Sequence, residues 1–212
     1  MNNIITKSPN CYSVNNFTNR VNQHDKIAID FVENIFTKYG LITYLIGTEF
    51  DIKGLSESLR KQSDVISIML RFRPDRVSIV IGSYSILCEI KSESGKYSNF
   101  AIEADSYKSA LIWNSCDKNN KNIVVFILVD ISLMSAKAIW AGQIPEPKII
   151  YIPKRNDYIE QEIRIKKEFP NAIIKLLPYK YGSGTPYMLL PKNYKQLFDL
   201  DFFIQNEIIG VR

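Results

Sequence analysis

Few residues in this sequence belong to the two types that most often bind zinc and other transition metals. There is a single histidine, His24, and the three cysteines, Cys11, Cys88 and Cys116, form no CxxC pair. One histidine cannot supply a multi-histidine metal site, and an odd, scattered set of cysteines predicts neither a disulfide framework nor a zinc finger. A histidine-dependent catalytic triad would have to use His24, and nothing near it in the sequence indicates one.

Long apolar segments are also missing. The longest, Ile123–Val129, ends at Asp130 and is much shorter than the roughly 20 residues that a membrane-spanning helix needs. The N-terminal segment MNNIITKSPN lacks the apolar stretch of a signal peptide. A cytoplasmic protein with no membrane partner is therefore the simplest expectation.

The length and composition predict a folded globular protein. Of the 212 residues, 46% are hydrophobic and 23% are charged, which argues against a disordered chain and allows a full core. Lysine and arginine outnumber aspartate and glutamate by 27 to 22. This mild excess is compatible with a nucleic-acid partner but does not require one.

The order of the predicted elements indicates an α/β fold with a mixed sheet. Apolar residues recur at helical spacing over 25–39, and a strand is predicted over 41–46. Two short strands over 77–81 and 85–91, joined by Gly82-Ser83, are predicted to form a β-hairpin. The later predictions are a helix over 100–113, a strand buried on both faces over 123–129, a strand over 149–152 and a helix over 156–169.

Three parts of the chain are predicted to form one globule. Residues 1–24, which are rich in Asn, Ser and Thr, are expected to be a loosely packed lead-in. Residues 25–152 are expected to form the core. Residues 153–212 are expected to add a C-terminal helix and β extension.

The hairpin is predicted to bring three chemically useful side chains together. Asp75 stands at the mouth of its first strand, and Glu89 and Lys91 stand at the end of its second. Because side chains alternate along a strand, Glu89 and Lys91 share one face, and strand pairing brings Asp75 near them. Two carboxylates supply the oxygen ligands that Mg²⁺ prefers, and a lysine can orient or deprotonate a nucleophile or stabilise the transition state. The set suits phosphodiester hydrolysis by metal-activated water.

A non-catalytic interpretation of the same residues stays open. In it, Asp75 caps a turn, and Glu89 and Lys91 form an exposed ion pair at the end of a strand. Such a pair contributes only about 0–1 kcal/mol to stability.

The segment RPDRVSIVIGSYSILCEIK, residues 73–91, resembles the motif of the PD-(D/E)xK nuclease superfamily. The resemblance covers roughly residues 25–130. It implies a restriction-endonuclease-like αβββαβ core, in which a central mixed sheet is flanked by helices, followed here by the C-terminal extension. It also implies that Asp75 and Glu89 hold the metal and that Lys91 is the catalytic lysine.

The same resemblance implies a cofactor and partners. Members include restriction enzymes, Holliday-junction resolvases, repair nucleases and homing endonucleases, so DNA is the expected substrate. Mg²⁺ is the expected cofactor, with Mn²⁺ able to substitute. Because restriction enzymes and resolvases are commonly dimers, a homodimer is also an expectation.

Two further acids are candidate catalytic residues by the same resemblance. Many members carry an acid on the first helix that contacts the metal, which makes Glu33 a candidate ligand, although it could equally be a solvated helix glutamate. Glu103 precedes Tyr107 by four residues, where the RecB-like group of the superfamily has Gln-x-x-x-Tyr, but this chain has Glu in place of Gln. Glu103 could assist the metal or contact DNA through water. Tyr107 is a candidate DNA contact, with core packing as the alternative.

Basic residues beside the motif are candidate phosphate ligands. Arg71, Arg73 and Arg76 flank Pro74-Asp75, and guanidinium groups bind phosphate through paired hydrogen bonds. Charge balance around the acids is the alternative. Lys96 lies in the loop predicted over 92–97, where it could touch a phosphate or simply be solvated.

A second basic region lies in the C-terminal part. The stretch Phe169–Phe198 holds no acidic residue, and lysines alternate with tyrosines along it. Lys180, Lys192 and Lys195 are therefore predicted to contact DNA phosphates, with neighbouring tyrosines available for stacking. The alternative is an ordinary β-rich subdomain.

The function predicted from this resemblance is metal-dependent DNA cleavage, with an endonuclease of a phage, mobile element or restriction or recombination system as the expected type. Two alternatives stay open. The chain could be a catalytically inactive nucleic-acid-binding module, or a protein-interaction factor on the same fold. Mg²⁺-dependent cleavage of DNA would distinguish the nuclease from both alternatives.

Overall fold

A computed structural model of the chain describes residues 14–45, 74, 76–79, 85–93, 97–116, 123–178 and 185–210. In chain order, the helices and strands of these residues are α1 (Val14–Lys38), β1 (Ile42–Leu45), β2 (Arg76–Ile79), β3 (Ser85–Glu93), β4 (Asn99–Glu103), α2 (Ala104–Ser115), β5 (Val124–Asp130), β6 (Ser135–Trp140), β7 (Ile149–Lys154), α3 (Tyr158–Glu168), β8 (Ile173–Pro178), β9 (Tyr187–Pro191), β10 (Phe198–Asp199) and α4 (Leu200–Phe203). A 3₁₀ turn follows β6, and a π-helical segment, Ile204–Ile209, continues α4.

The first sheet carries the predicted hairpin. Its strand order is β1-β2-β3-β5-β6-β10. The pair β3–β5 is parallel, and the other neighbouring pairs are antiparallel. A parallel pair needs a crossover connection, and α2 lies within the one between β3 and β5. The mixed α/β fold and the pairing of the hairpin strands are therefore as predicted.

The second sheet was not predicted. Its order is β4-β9-β7-β8, with β7 parallel to β8 and the other pairs antiparallel. It joins β4 to strands from the C-terminal part of the chain. The boundary placed between residues 152 and 153 falls inside β7.

The predicted helix over 100–113 is wrong in its first turn. Residues Asn99–Glu103 form β4, and α2 begins at Ala104. In β4, Phe100 and Ile102 are buried while Ala101 is exposed, which is the alternation of a strand. Pairing with β9 stabilises this conformation, and β9 lies too far along the chain for a local pattern to reveal it.

The first helix begins earlier than predicted. It starts at Val14 rather than at residue 25, so much of the expected lead-in is helical. Val14, Phe17 and Val21 continue the apolar spacing toward the N-terminus. The many asparagines between them obscured that spacing, because Asn has low helix propensity.

Two hydrophobic cores lie on opposite faces of the first sheet. On one face, α1 and the C-terminal helical segment pack against residues that include Ile86 and Cys88. On the other face, α2 and the second sheet pack against residues that include Phe126 and Leu128. Every residue of β5 is buried, as predicted for a strand covered on both faces. None of the described helices is long and apolar enough to cross a membrane.

Candidate functional site

Strand β3 places Glu89 and Lys91 on the face of the first sheet that α2 and the second sheet cover. Ile86 and Cys88 belong to the opposite core, so the strand alternation directs Glu89 and Lys91 the other way. The Lys91 ammonium lies 2.8 Å from Oε1 of Glu89. The shared face predicted for these residues is therefore present, and they are in direct contact.

Glu103 joins this pair from the junction of β4 and α2. The Lys91 ammonium donates a hydrogen bond to Oε2 of Glu103 at 3.3 Å. Glu89, Lys91 and Glu103, which we call the Lys91 cluster, thus place one ammonium between two carboxylates. This contact was not foreseen, because the sequence only suggested that Glu103 could act on DNA or on a metal.

Two hydroxyl groups complete the surroundings of Glu103. The Thr185 hydroxyl donates to Oε1 at 2.8 Å, and the Ser106 hydroxyl donates to Oε2 at 3.3 Å. Sequence reasoning missed both residues. Glu103 immediately precedes α2 and Ser106 lies three residues later, in its first turn, so their closeness in sequence could have revealed the second contact, whereas no local signal connects Thr185 to Glu103.

The positive charge of Lys91 and burial shift the pKa of Glu103 in opposite directions. The Glu89 residue is 5% exposed, and a quarter of the Lys91 side chain remains accessible to solvent. The positive charge of Lys91 lowers the pKa of Glu103, with help from the Thr185, Lys91 and Ser106 hydrogen bonds, although burial opposes this shift. Glu103 therefore stays ionised while facing the lysine.

A first prediction follows for stability against pH. Because the pKa of Glu103 is lowered from its ordinary value of 4.5 in the folded protein, its ionised form stabilises the fold above that value, and this contribution is lost as the pH falls through the lowered pKa. Glu103→Gln should therefore be less stable than the wild type near neutral pH, and the difference should shrink below about pH 4. Urea unfolding of both proteins across this range measures it, and a pH-independent difference would contradict it.

Strand β2 enters the sheet beside the cluster. Arg76 lies opposite Cys88, the residue before Glu89, and Pro74 is buried. Asp75 lies outside the described residues. Among the described residues, no group of three or more histidine, cysteine or acidic side chains is arranged to hold a metal. The metal site predicted from Asp75 and Glu89 therefore stays a prediction.

Glu33 lies on α1, whose core positions pack against the Cys88 face of the first sheet. Glu89 and Lys91 project from the opposite face. The Glu33 carbonyl oxygen accepts a hydrogen bond from the Thr37 hydroxyl at 2.8 Å. A role of Glu33 at the metal stays a prediction.

Tyr107 is a core residue. It is 4% exposed, and its ring stacks on Phe169 with 6.4 Å between the ring centroids. Its hydroxyl donates to the carbonyl oxygen of Ile144 at 3.2 Å. The packing alternative therefore describes this tyrosine, and its ring is not accessible to DNA.

Lys192, which is predicted to contact a DNA phosphate, is instead paired with an acid of this protein. Its ammonium pairs with the carboxylate of Asp130, which is 3% exposed, and lies 5.0 Å from the centroid of the Phe100 ring. Glu93 lies opposite Asp130 in the β3–β5 ladder, and burial raises the pKa of Glu93. The charge of the partly buried Lys192, which follows β9, is thus neutralised by a buried acid at the end of β5.

A second prediction distinguishes this role from DNA binding. Lys192→Met would leave the buried Asp130 carboxylate without its cation, so the free energy of unfolding should fall by about 3 kcal/mol. The exposed Lys195 offers a matched control, because Lys195→Met should change stability by no more than about 0.5 kcal/mol. Urea denaturation measures both variants, and equal stability of the two would show that the Lys192–Asp130 pair is not stabilising.

Of the other predicted DNA contacts, only Lys195 and the backbone of Arg76 lie among the described residues. Lys195 is exposed, in keeping with an accessible cation. The backbone of Arg76 lies in β2. The remaining candidates, Arg71, Arg73, Lys96 and Lys180, lie outside the described residues.

A separate ion-pair group joins α2 to α3. Arg164 donates to both carboxylate oxygens of Asp105, and Glu168 accepts from Arg164 at 3.4 Å and pairs with Lys108 at 3.2 Å. Asp105 is buried. These contacts hold the two helices together and do not include a residue of the Lys91 cluster.

Comparisons with known proteins give one structural likeness. No protein-family model matches the chain, and no curated protein matches it. The solved structure of a nuclease from a fusselovirus aligns with 95% of this chain and 99% of its own, at 14% sequence identity and a TM-score of 0.40. A score of this size does not establish a common fold.

Proposed function

We propose that the protein is a metal-dependent nuclease that hydrolyses phosphodiester bonds in DNA. The observation that carries the proposal is the Lys91 cluster. The Glu-x-Lys pair of the PD-(D/E)xK-like motif lies on one face of β3, with its ammonium held between Glu89 and Glu103. Lys91 is partly exposed and lies between two carboxylates. Its strand pairs with β2, which directly follows Asp75. An ammonium in this position is suited to contact a phosphate group.

The topology of the first sheet supports the same proposal. A helix, three antiparallel strands, a helix and a strand parallel to the third follow in the order that an αβββαβ core requires. Strand β4 is an addition between β3 and α2. Arg76, at the start of β2, lies opposite Cys88 of β3, which supports a position of the preceding Asp75 beside Glu89.

The donor chemistry fits a hard divalent cation. Glu89 offers one carboxylate, and Asp75 would supply a second. Carboxylate oxygens are ligands that Mg²⁺ prefers. Glu33 is a further candidate ligand by the resemblance, but α1 packs on the face of the sheet opposite to Glu89, so the proposed ligands are Asp75 and Glu89. Mn²⁺ would substitute for Mg²⁺. When bound, the metal would lower the pKa of a water molecule and neutralise charge on the phosphate.

The protein side chains have separable roles in this proposal. The Lys91 ammonium lies between two carboxylates, where it would orient the attacking water and stabilise negative charge that develops on the phosphate. Glu103 would act through Lys91 by fixing the direction of the ammonium. In-line attack by water would leave a 5′-phosphate, as the resemblance implies.

The substrate is proposed to be DNA, held by basic residues of the chain. The accessible Lys195 is one proposed phosphate contact, and the others are Arg71, Arg73, Arg76, Lys96 and Lys180. A cytoplasmic homodimer is the proposed working form, because junction-cleaving and restriction enzymes that resemble this chain are commonly dimers. Each contact would add about 0.9 to the slope of log affinity against log salt on duplex DNA.

A cleavage assay tests the proposal directly. The full chain is incubated with linear, circular, single-stranded and branched DNA, in the presence of Mg²⁺, Mn²⁺ or EDTA. Products with 5′-phosphates that form only with the metal would support it. DNA binding without cleavage on every substrate would instead identify an inactive binding module. The absence of both binding and cleavage would leave the protein-interaction alternative.

A further inference from the structure

We infer that Thr185 is a positioning residue, which fixes the orientation of the Glu103 carboxylate and, through it, the Lys91 ammonium. The expected effect of Thr185 on catalysis rests on the proposed nuclease function. Its structural content, the control of Glu103 by a hydroxyl from a distant segment, can be tested without any cleavage assay.

The backbone holds Thr185 firmly beside Glu103. Tyr187, at the start of β9, lies opposite Glu103 in the antiparallel ladder. The Ala104 amide donates to the carbonyl oxygen of Pro186 at 2.9 Å. These main-chain contacts of the two residues that follow Thr185 do not involve its hydroxyl, so removal of the hydroxyl alone should not move the strand.

The hydroxyl acts on the softest torsion of the Glu103 side chain. The terminal torsion of a glutamate has a broad energy profile, so an external contact must define the rotation of the carboxylate. The Thr185 hydroxyl binds Oε1 at 2.8 Å, the shortest of the three contacts of Glu103 that hold its two oxygens. Oε2 is thereby directed toward Lys91.

The position of Lys91 depends in turn on this rotation. Its ammonium lies 2.8 Å from Glu89 and 3.3 Å from Glu103, so it is held from two sides. If the Glu103 carboxylate rotated away, Lys91 would lose its contact with Glu103 and keep the shorter one with Glu89. The ammonium would then be drawn toward the proposed metal ligand instead of the phosphate, and the chemical step would slow while DNA binding remained.

The test compares Thr185→Val, which keeps the shape and removes the hydroxyl, with Thr185→Ser, which keeps the hydroxyl. In the full chain, the ¹³C chemical shift of the Glu103 carboxyl group at neutral pH should change in the valine variant and stay at the wild-type value in the serine variant. Under single-turnover conditions, the valine variant should cleave DNA about ten- to a hundredfold more slowly with unchanged DNA affinity, and serine should restore the rate.

The results for the Thr185 variants distinguish failure of this inference from failure of the proposed function. An unchanged Glu103 shift in Thr185→Val overturns the inference, as does a shift that changes without any change in the cleavage rate of an active protein. A wild type that cleaves no DNA overturns the proposed function, whereas the Glu103 shift still decides whether Thr185 orients that carboxylate. Equal loss of rate in the valine and serine variants would also overturn the inference, because the hydroxyl would then not be the group that matters.

Discussion

Replacement of Glu89 by glutamine is expected to abolish DNA cleavage while the fold persists. The amide has nearly the same volume as the carboxylate, so the buried position on β3 stays filled. The substitution removes the negative charge that would bind Mg²⁺, but the Lys91 ammonium keeps Glu103 as a partner. We expect the single-turnover rate to fall by about a thousandfold or more, as when a preorganised electrostatic group is removed from an active site.

A matched control exists in the same chain. Glu168 is also an ion-paired glutamate with little exposure, but it contacts Lys108 and Arg164 at the α2–α3 junction, outside the Lys91 cluster. Glu168→Gln should lower stability and leave the cleavage rate near the wild-type value. Asp75→Ala should reproduce the loss caused by Glu89→Gln. Cleavage by Glu89→Gln at the wild-type rate would refute the metal assignment.

The local part of the site could be predicted from the sequence. Glu89 and Lys91 are two residues apart, and the period of a strand alone puts them on one face. The pairing of β2 with β3 also followed from nearby signals, since a short connection joins two β-rich segments. These predictions needed only the residues inside the hairpin.

The long-range part of the site could not be predicted. Thr185 reaches Glu103 only because β9 pairs with β4, and neither strand has a pattern that identifies its partner. For the same reason the apolar spacing over 100–113 predicts a helix that includes most of β4. The register of distant strands is set by the packing of the second sheet, which no local window contains.

Lys192 shows how a local pattern of charge can mislead. The absence of acids in the sequence around it suggested an open basic surface, but its carboxylate partner, Asp130, comes from the end of β5. A buried charge has to be paired, and the partner can come from any strand that the fold brings near. Exposure therefore decides which lysines are available to DNA, and Lys195 meets that condition.

Replacement of Lys91 by methionine is expected to slow cleavage by orders of magnitude without loss of the metal site. Methionine keeps an unbranched apolar chain in the space of the lysine stem but lacks the ammonium that would orient water and stabilise charge on the phosphate. Loss of one such group costs about a hundred- to a thousandfold in rate. Mg²⁺ binding should persist, because the substitution removes a cation that competes for the Glu89 carboxylate. Single-turnover kinetics and calorimetric titration with Mg²⁺ measure the two effects separately.

An arginine at position 91 provides the sharper comparison. The guanidinium keeps the positive charge. Because it is larger and planar, it cannot contact Glu89 and Glu103 with the geometry of the compact ammonium. Lys91→Arg should therefore bind DNA as well as the wild type and still cleave it poorly. Full activity of the arginine variant would mean that charge alone is required. Loss of Mg²⁺ binding in the methionine variant would mean that Lys91 supports the metal site and does not act on the water.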